Sequence, residues 1–282
     1  MAQGISKVLV GFDGSIDAQL ALRWGMDEAE RRKAALHVVV CRGGRLRAGP
    51  ATREWASKVA EERAALANDS LGRRGHPAEV VTVVDGPAAA VLIGRSDPGI
   101  LVVVGSHGHG RIAGSSLGSV SQHVARQAGG PVVVVRPAAN PISARIVVGV
   151  DGSGGSEEAL SFAFDRASRD RAALFVVYGW RPAQGVRASL GAPISDDVAE
   201  EAAEAERLLA ESVAGLADKY PDVEVHREAV AVPAGRALAD ASYNAAMVVV
   251  GSRGRGAFEG MLLGSVSQDV LHHAVCPVAV IR

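Results

Sequence analysis

Glycine, serine and a basic residue recur in this chain at a spacing suited to gripping an anion. Gly105-Ser106-His107-Gly108 is followed, after nine residues, by Gly118-Ser119-Val120, and Gly251-Ser252-Arg253-Gly254 is followed, after another nine, by Gly264-Ser265-Val266. Both ends carry one offset, 251 − 105 = 146 and 264 − 118 = 146. The gap keeps its length while most of its residues change, so spacing is the constrained quantity. Glycines between a β-like run and a helix-like run let backbone approach a bound group closely, and phosphate is the group that fits best. Gly108 and Gly110, like Gly254 and Gly256, would permit positive φ and leave N–H groups free to face an anion. Gly118-Ser119 and Gly264-Ser265 would open helices, whose first amides are unpaired and carry partial positive charge.

The basic residues differ between the copies. His107, His109 and Arg111 in the first become Arg253, Arg255 and Ala257 in the second. Solvated loop charge would account for them. The sharper reading is phosphate neutralisation, partly pH-dependent in the first copy and permanent in the second. Upstream, Gly11-Phe12-Asp13-Gly14-Ser15 matches Gly149-Val150-Asp151-Gly152-Ser153. Each aspartate ends a Val-rich run and precedes a helical pattern. Helix capping explains Asp, Gly and Ser there; a carboxylate accepting ribose hydroxyls is the functional reading, compatible with the first.

Positioning these groups requires a repeated scaffold. Lys7–Ser15 matches Arg145–Ser153, Ala35–Cys41 matches Ala173–Gly179, Ile100–Ser106 matches Ala246–Ser252, and Pro131–Arg136 matches Pro277–Arg282. The first two pairs are offset by 138 (145 − 7 and 173 − 35) and the last two by 146 (246 − 100 and 277 − 131), so eight residues were gained near 182–196. Each half is expected to hold five strands alternating with four helices, the first half's strands lying near 6–12, 35–41, 79–84, 100–105 and 131–136. They are apolar almost throughout, as parallel strands covered on both faces are. In 15–32, Ala18, Ala21, Leu22, Gly25 and Ala29 recur at helical spacing, as do Val198, Ala202, Ala205, Leu208, Leu209 and Val213 in 196–218. The fold class is therefore α/β: two tandem open parallel five-stranded sheets, order 3-2-1-4-5, with helices on both faces. In that order Asp13 and Gly105 flank the topological switch point, where such sheets bind ligands. Residues 136–144 read as a linker between domains at 1–137 and 144–282. The apolar fifth strands would be exposed edges, and the halves are expected to pack as a pseudodimer through them.

Composition removes several classes of function. A net charge of −1 gives no electrostatic case for nucleic acid, and 4% aromatic residues offer little base-stacking surface. Two cysteines, Cys41 and Cys276, make neither a disulfide framework nor a zinc site and read as small buried residues. No apolar run reaches membrane-spanning length, and the N-terminus lacks a signal-peptide layout, so a cytoplasmic protein is expected.

The G-x-x-G-x9-G-S signature after a strand, with an upstream V-G-x-D-G-S, resembles the universal stress protein family in its tandem-domain, ATP-binding form, and the resemblance covers essentially the whole chain. It implies one ATP, optionally with magnesium, at Gly11, Asp13, the 105–111 loop (Gly105, Ser106, His107, Gly108, His109, Gly110, Arg111), Gly118, Ser119 and Val120. It implies a second at Gly149, Asp151, the 251–257 loop (Gly251, Ser252, Arg253, Gly254, Arg255, Gly256, Ala257), Gly264, Ser265 and Val266. The end of the second strand, which meets adenine through its backbone in this family, maps to Cys41 and Gly179. One departure is Gly86-Pro87, which becomes Val232-Pro233. The expected role is a nucleotide-dependent stress regulator without catalytic residues, its whole chain able to pair as a homodimer. An ATP hydrolase or phosphoryl-transfer enzyme is the alternative, although a P-loop is missing. An interaction module with vestigial pockets is the third.

Overall fold

The computed structural model describes residues 4–43, 50–72, 79–109, 116–181, 197–256 and 262–282. They form two compact units, Met1–Pro137 and Ala138–Arg282. In the first unit the strands are β1 (Lys7–Gly11), β2 (Ala35–Arg42), β3 (Glu79–Asp85), β4 (Ile100–Gly105) and β5 (Val132–Val135). The helices are α1 (Ile16–Arg32), α2 (Pro50–Gly72), α3 (Ala88–Ile93) and α4 (Ser119–Gln127). All pairings are parallel, in the order β3-β2-β1-β4-β5. The second unit repeats this with β6 (Arg145–Gly149), β7 (Ala173–Gly179), β8 (Val225–Val230), β9 (Met247–Gly251) and β10 (Val278–Ile281). Its helices are α5 (Gly154–Asp170), α6 (Asp197–Ala217), α7 (Ala234–Ala241) and α8 (Ser265–His273), with a 3-10 turn at Ser242–Asn244. Its order is β8-β7-β6-β9-β10. The eight residues gained by the second unit fall outside the described residues.

Right-handed crossovers put α1 and α2 on one face of the first sheet and α3 and α4 on the other. α3 packs on α4, and α7 on α8 in the second unit. The central strands are therefore covered twice. Val8, Leu9, Val10, Leu101, Val102 and Val103 are buried, as are Ile146, Val147, Val148, Val248 and Val249. Each such side chain contributes about 1.5–3 kcal/mol when fully buried.

Capping fixes where α1 and α5 begin. Ser15 accepts a hydrogen bond from Ala18 N at 3.2 Å, and Ser153 one from Ser156 N at 3.3 Å. The caps are thus the serines, and each aspartate two residues earlier is left for another task. Both helices end alike, on a left-handed residue, Lys33 (φ 53°) and Arg171 (φ 51°). The expected linker contains no helix or strand, and Ala139 N donates to Val275 O at 2.8 Å. Among the described residues no helix is long and apolar enough to cross a membrane.

Candidate functional site

The C-terminal ends of β1 and β4 are neighbours, and a cavity opens above them in each unit. The first, of about 430 Å³, is lined by Gly11, Asp13, Cys41, Gly105, His107, Gly108, His109, Gly118, Ser119 and Val120, with Leu92 and Val104 as floor. The second, of about 250 Å³, is lined by Gly149, Asp151, Gly251, Arg253, Gly254, Arg255, Gly256, Gly264, Ser265 and Val266, over Leu238 and Val250. Within each unit, residues far apart in sequence thus meet where the strand order reverses (105 − 13 = 92 in the first, 251 − 151 = 100 in the second). Gly110, Arg111 and Ala257 lie outside the described residues.

The aspartates hold the glycine loops. Asp13 Oδ1 accepts from Ser15 N at 3.0 Å, and its Oδ2 accepts from His109 N at 3.3 Å. Asp151 Oδ1 accepts from Ser153 N at 3.0 Å and Ser153 Oγ at 2.5 Å, and its Oδ2 from Arg255 N at 2.9 Å. Each carboxylate therefore ties a helix start to a loop 96 or 104 residues away.

The glycines serve the protein's own contacts more than the sequence suggests. A Cβ on Gly105 would stand 2.6 Å from Asp17 C and 2.7 Å from Asp17 O, and one on Gly251 2.6 Å from Gly155 O. These two glycines let the first turn of a helix lie directly on a strand end. A Cβ on Gly108 would stand 2.5 Å from Asp13 Oδ2, and Gly254 meets Asp151 Oδ2 in the same way. The positive φ values expected at Gly108, Gly254 and Gly256 are not found there. Among the described glycines positive φ occurs at Gly86 (131°), after β3, and at Gly14 (85°) and Gly152 (73°), where the chain turns from aspartate to capping serine. Gly179 does not line the second cavity; a Cβ there would run into the Ala234 backbone, so β7 and α7 meet at that point.

Ser106 and Ser252 are buried and do not line the cavities. Ser106 Oγ donates to Asp17 Oδ2 at 2.6 Å, which also accepts from His107 N at 2.9 Å. His107 Nδ1 is 3.3 Å from the same oxygen. The second unit has Gly155 in place of Asp17 and Arg253 in place of His107, and a Cβ on Gly155 would stand 2.7 Å from Arg253 O.

The helices at the cavity mouths start differently from α1 and α5. The N-caps of α4 and α8 are Gly118 and Gly264, and neither helix has a side-chain cap hydrogen bond. Ser121 Oγ donates to Gly105 O and Ser267 Oγ to Gly251 O, both at 2.6 Å, tying each helix to its strand. The first amides of both helices are left facing the cavity, where the helix dipole favours an anion. Burial, and after it the neighbouring Arg253 guanidinium, push the Arg282 pKa below the ordinary arginine value.

Several lining residues carry no signal in the glycine motifs: Leu92 and Leu238 beneath Gly11 and Gly149, and Trp55, Ala56, Val59 and Arg63 along α2. Three of the named α2 positions, Trp55, Val59 and Arg63, share a four-residue spacing. That pattern could have been read as a helix face, but it could not be assigned to a pocket before β2 and α2 were placed. Burial pushes the Cys41 thiol pKa up. Cys276 is fully buried.

Asp151 supports an acid-stability prediction. Burial pushes its pKa up, but the bonds from the Ser153 hydroxyl and the Arg255 and Ser153 amides together outweigh this and hold it below the ordinary carboxyl value. A carboxyl lowered in the folded state binds fewer protons than in the unfolded state. Its stabilisation is complete above about pH 4, the ordinary value, and is lost as pH falls through the lowered one. Asp151→Asn is therefore expected to destabilise the second unit at neutral pH and to flatten its stability profile below about pH 4. Urea unfolding of both proteins from pH 2.5 to 7 measures this; parallel profiles would remove Asp151 from the acid response.

Comparison with known proteins gives a consistent result. The family model described as the Universal stress protein family matches residues 4–136 and 143–282. Universal stress protein Rv2005c of Mycobacterium tuberculosis (strain ATCC 25618 / H37Rv) is 36% identical over 289 residues, covering 98% of this chain and 96% of its own. Universal stress protein Rv2623 of the same strain is 36% identical over 299 residues, covering 100% and 99%. The crystal structure of a universal stress protein from Archaeoglobus fulgidus DSM 4304 is alike in fold, with a TM-score of 0.69 at 21% identity over 99% of this chain and 97% of that one. One family match takes in each glycine loop with its aspartate, and full-length relatives share more than a third of their residues with this chain, which belongs to the universal stress protein family.

Proposed function

We propose that the protein is an ATP-binding regulator with one nucleotide site in each unit. The observation that carries this reading is the duplicated cavity: in both units a glycine loop held by an aspartate faces a helix start capped by glycine alone. Such a cradle suits a polyphosphate, whose oxygens accept from main-chain amides. Arg253 and Arg255 line the second cavity, and His107 and His109 the first, adding cationic donors. Leu92, Val104 and Cys41 in the first, with Leu238 and Val250 in the second, offer apolar surface for a nucleoside.

Magnesium would be held chiefly by the nucleotide. Among the described residues no group of three or more His, Cys, Asp or Glu could hold a metal ion, and magnesium commonly keeps several waters beside phosphate ligands. The same geometry argues for a regulator over a hydrolase. Both aspartate carboxylates accept main-chain amides, so neither is disposed as a base toward an attacking water. A bound nucleotide regulates when it has different affinity for two states of the protein.

Native mass spectrometry of the chain purified under non-denaturing conditions tests the reading. Two adenine nucleotides per chain are expected, with hydrolysis at background rate. A chain that neither retains ATP nor takes it up at millimolar concentration would overturn it.

A further inference from the structure

We infer that the two cavities are non-equivalent sites, the first being closed by an aromatic–cationic face of α2 that the second lacks. Trp55 of α2 would stack on the nucleoside base and Arg63 would contact the phosphates. The inference rests on the nucleotide-binding reading above.

Trp55, Val59 and Arg63 are four residues apart, so they share one face of α2, and all three line the first cavity. Trp55, at one end of this face, lies two residues before Ser57, whose Oγ accepts from Arg42 at the end of β2, and about two helical turns from Arg63. It is 65% exposed, an unusual state for so large an apolar ring. A purine ring laid on it would cover that surface, and aromatic stacking tolerates any base. Arg63 lies at the other end. Its Cγ and Nε stand 3.3 and 3.9 Å from where a Cβ on Gly14 would be, and His109 Nε2 stands 3.8 Å from the same point. The guanidinium stem thus passes the aspartate turn beside the glycine loop, where a phosphate tail would lie.

α2 is braced in this position. Arg42, the last residue of β2, donates to Asp85 through Nε at 2.6 Å and Nη2 at 2.8 Å, and to Ser57 Oγ through Nη1 at 3.0 Å. Ser57 is two residues from Trp55. The brace joins the ends of β2 and β3 to the N-terminal half of the helix.

Among the described residues of the second unit none of these devices recurs. Leu208 of α6 stands beside Gly152, its Cδ1 3.4 Å from the corresponding Cβ position, where Arg63 stands beside Gly14. The cation there comes from the loop instead: Arg255 Nη2 is 3.1 Å from that position. The repeat offsets put Trp180 in the place of Arg42 (180 − 42 = 138) and Ala231 in the place of Asp85 (231 − 85 = 146), so the brace is lost. No described residue of α6 lines the second cavity, which has about 250 Å³ against about 430 Å³.

The test uses the full chain with Trp24→Phe and Trp180→Phe, which leaves Trp55 as its one tryptophan. Titration with ATP is expected to change its emission saturably, and titration with AMP to do the same. Adding Arg63→Leu, the residue type of the second site, is expected to weaken ATP at this site about tenfold or more while AMP changes less than about twofold, since a charge-assisted phosphate contact is lost. Trp55→Ala in the otherwise unaltered chain, followed by calorimetry, is expected to weaken ATP and AMP alike. Two ATP bound per chain by native mass spectrometry, with unresponsive Trp55 emission or unaltered ATP affinity in Arg63→Leu, would overturn this inference and leave the nucleotide reading standing. No nucleotide bound at either site would overturn both.

Discussion

Alanine in place of Gly254 is expected to weaken nucleotide binding at the second site about tenfold to a hundredfold, whereas alanine in place of Gly256 is expected to change it less than about twofold. The glycines are two residues apart in one loop and look alike in sequence. Their surroundings differ: a Cβ on Gly254 would collide with Asp151 Oδ2, while one on Gly256 would meet nothing within 4 Å. The collision forces the loop from the carboxylate that receives Arg255 N and so spoils the cradle's shape. Calorimetry with ATP, on a Gly108→Ala background that disables the first site by the same collision, isolates the second. Equal affinities for the Gly254 and Gly256 variants would show that the loop does not need its tie to Asp151.

The second large effect falls on stability. Gly105→Ala and Gly251→Ala are each expected to cost about 3 kcal/mol in the unit that carries them. The obstructing atoms are backbone, Asp17 C and O in one case and Gly155 O and Ser156 N in the other, so no rotamer change relieves the contact. Either the helix or the strand end must move, and both are anchored by buried side chains, as Val103 and Val104 on β4 and Ala18 and Ala21 on α1 show. Two units in one chain can melt separately, so a single midpoint would blur the effect. Hydrogen exchange at the amides of β1 and β4 for Gly105→Ala, and of β6 and β9 for Gly251→Ala, assigns the loss to its unit. Protection unchanged in these strands would mean that the helix start has slack there.

The scaffold was largely legible in the residues. Runs such as Leu101–Val104 are too apolar for a sheet with a wet face, and their alternation with Ala-rich helices leaves few topologies. The order 3-2-1-4-5, a supposition at the level of sequence, is the one the strand pairings form in each unit. The convergence of Asp13 with the 105–109 segment followed in turn, because the order places β1 beside β4. The roles of individual glycines and serines did not follow. A glycine needed for packing and one needed at a ligand have the same symbol, and only the nearest atom separates them. Ser106 belongs to the ATP-holding loop that the resemblance implies, yet Asp17, 89 residues earlier, draws its hydroxyl inward. Positive φ was expected at the loop glycines and occurs instead at Gly14 and Gly152, since the sharpest turn lies between the aspartate and its capping serine. Trp55 and Arg63 escaped notice because α2 carries no repeated motif.

The pairing of Gly155 with Arg253, against Asp17 with His107, bears on how the duplicated halves drifted apart. An aspartate restored at 155 would strike the carbonyl of Arg253, and a glycine at 17 would strip Ser106 and His107 of their shared acceptor. Neither half can borrow the other's residue one substitution at a time without passing through a damaged intermediate. Each half thus holds its loop with a residue set that fits its own helix start alone.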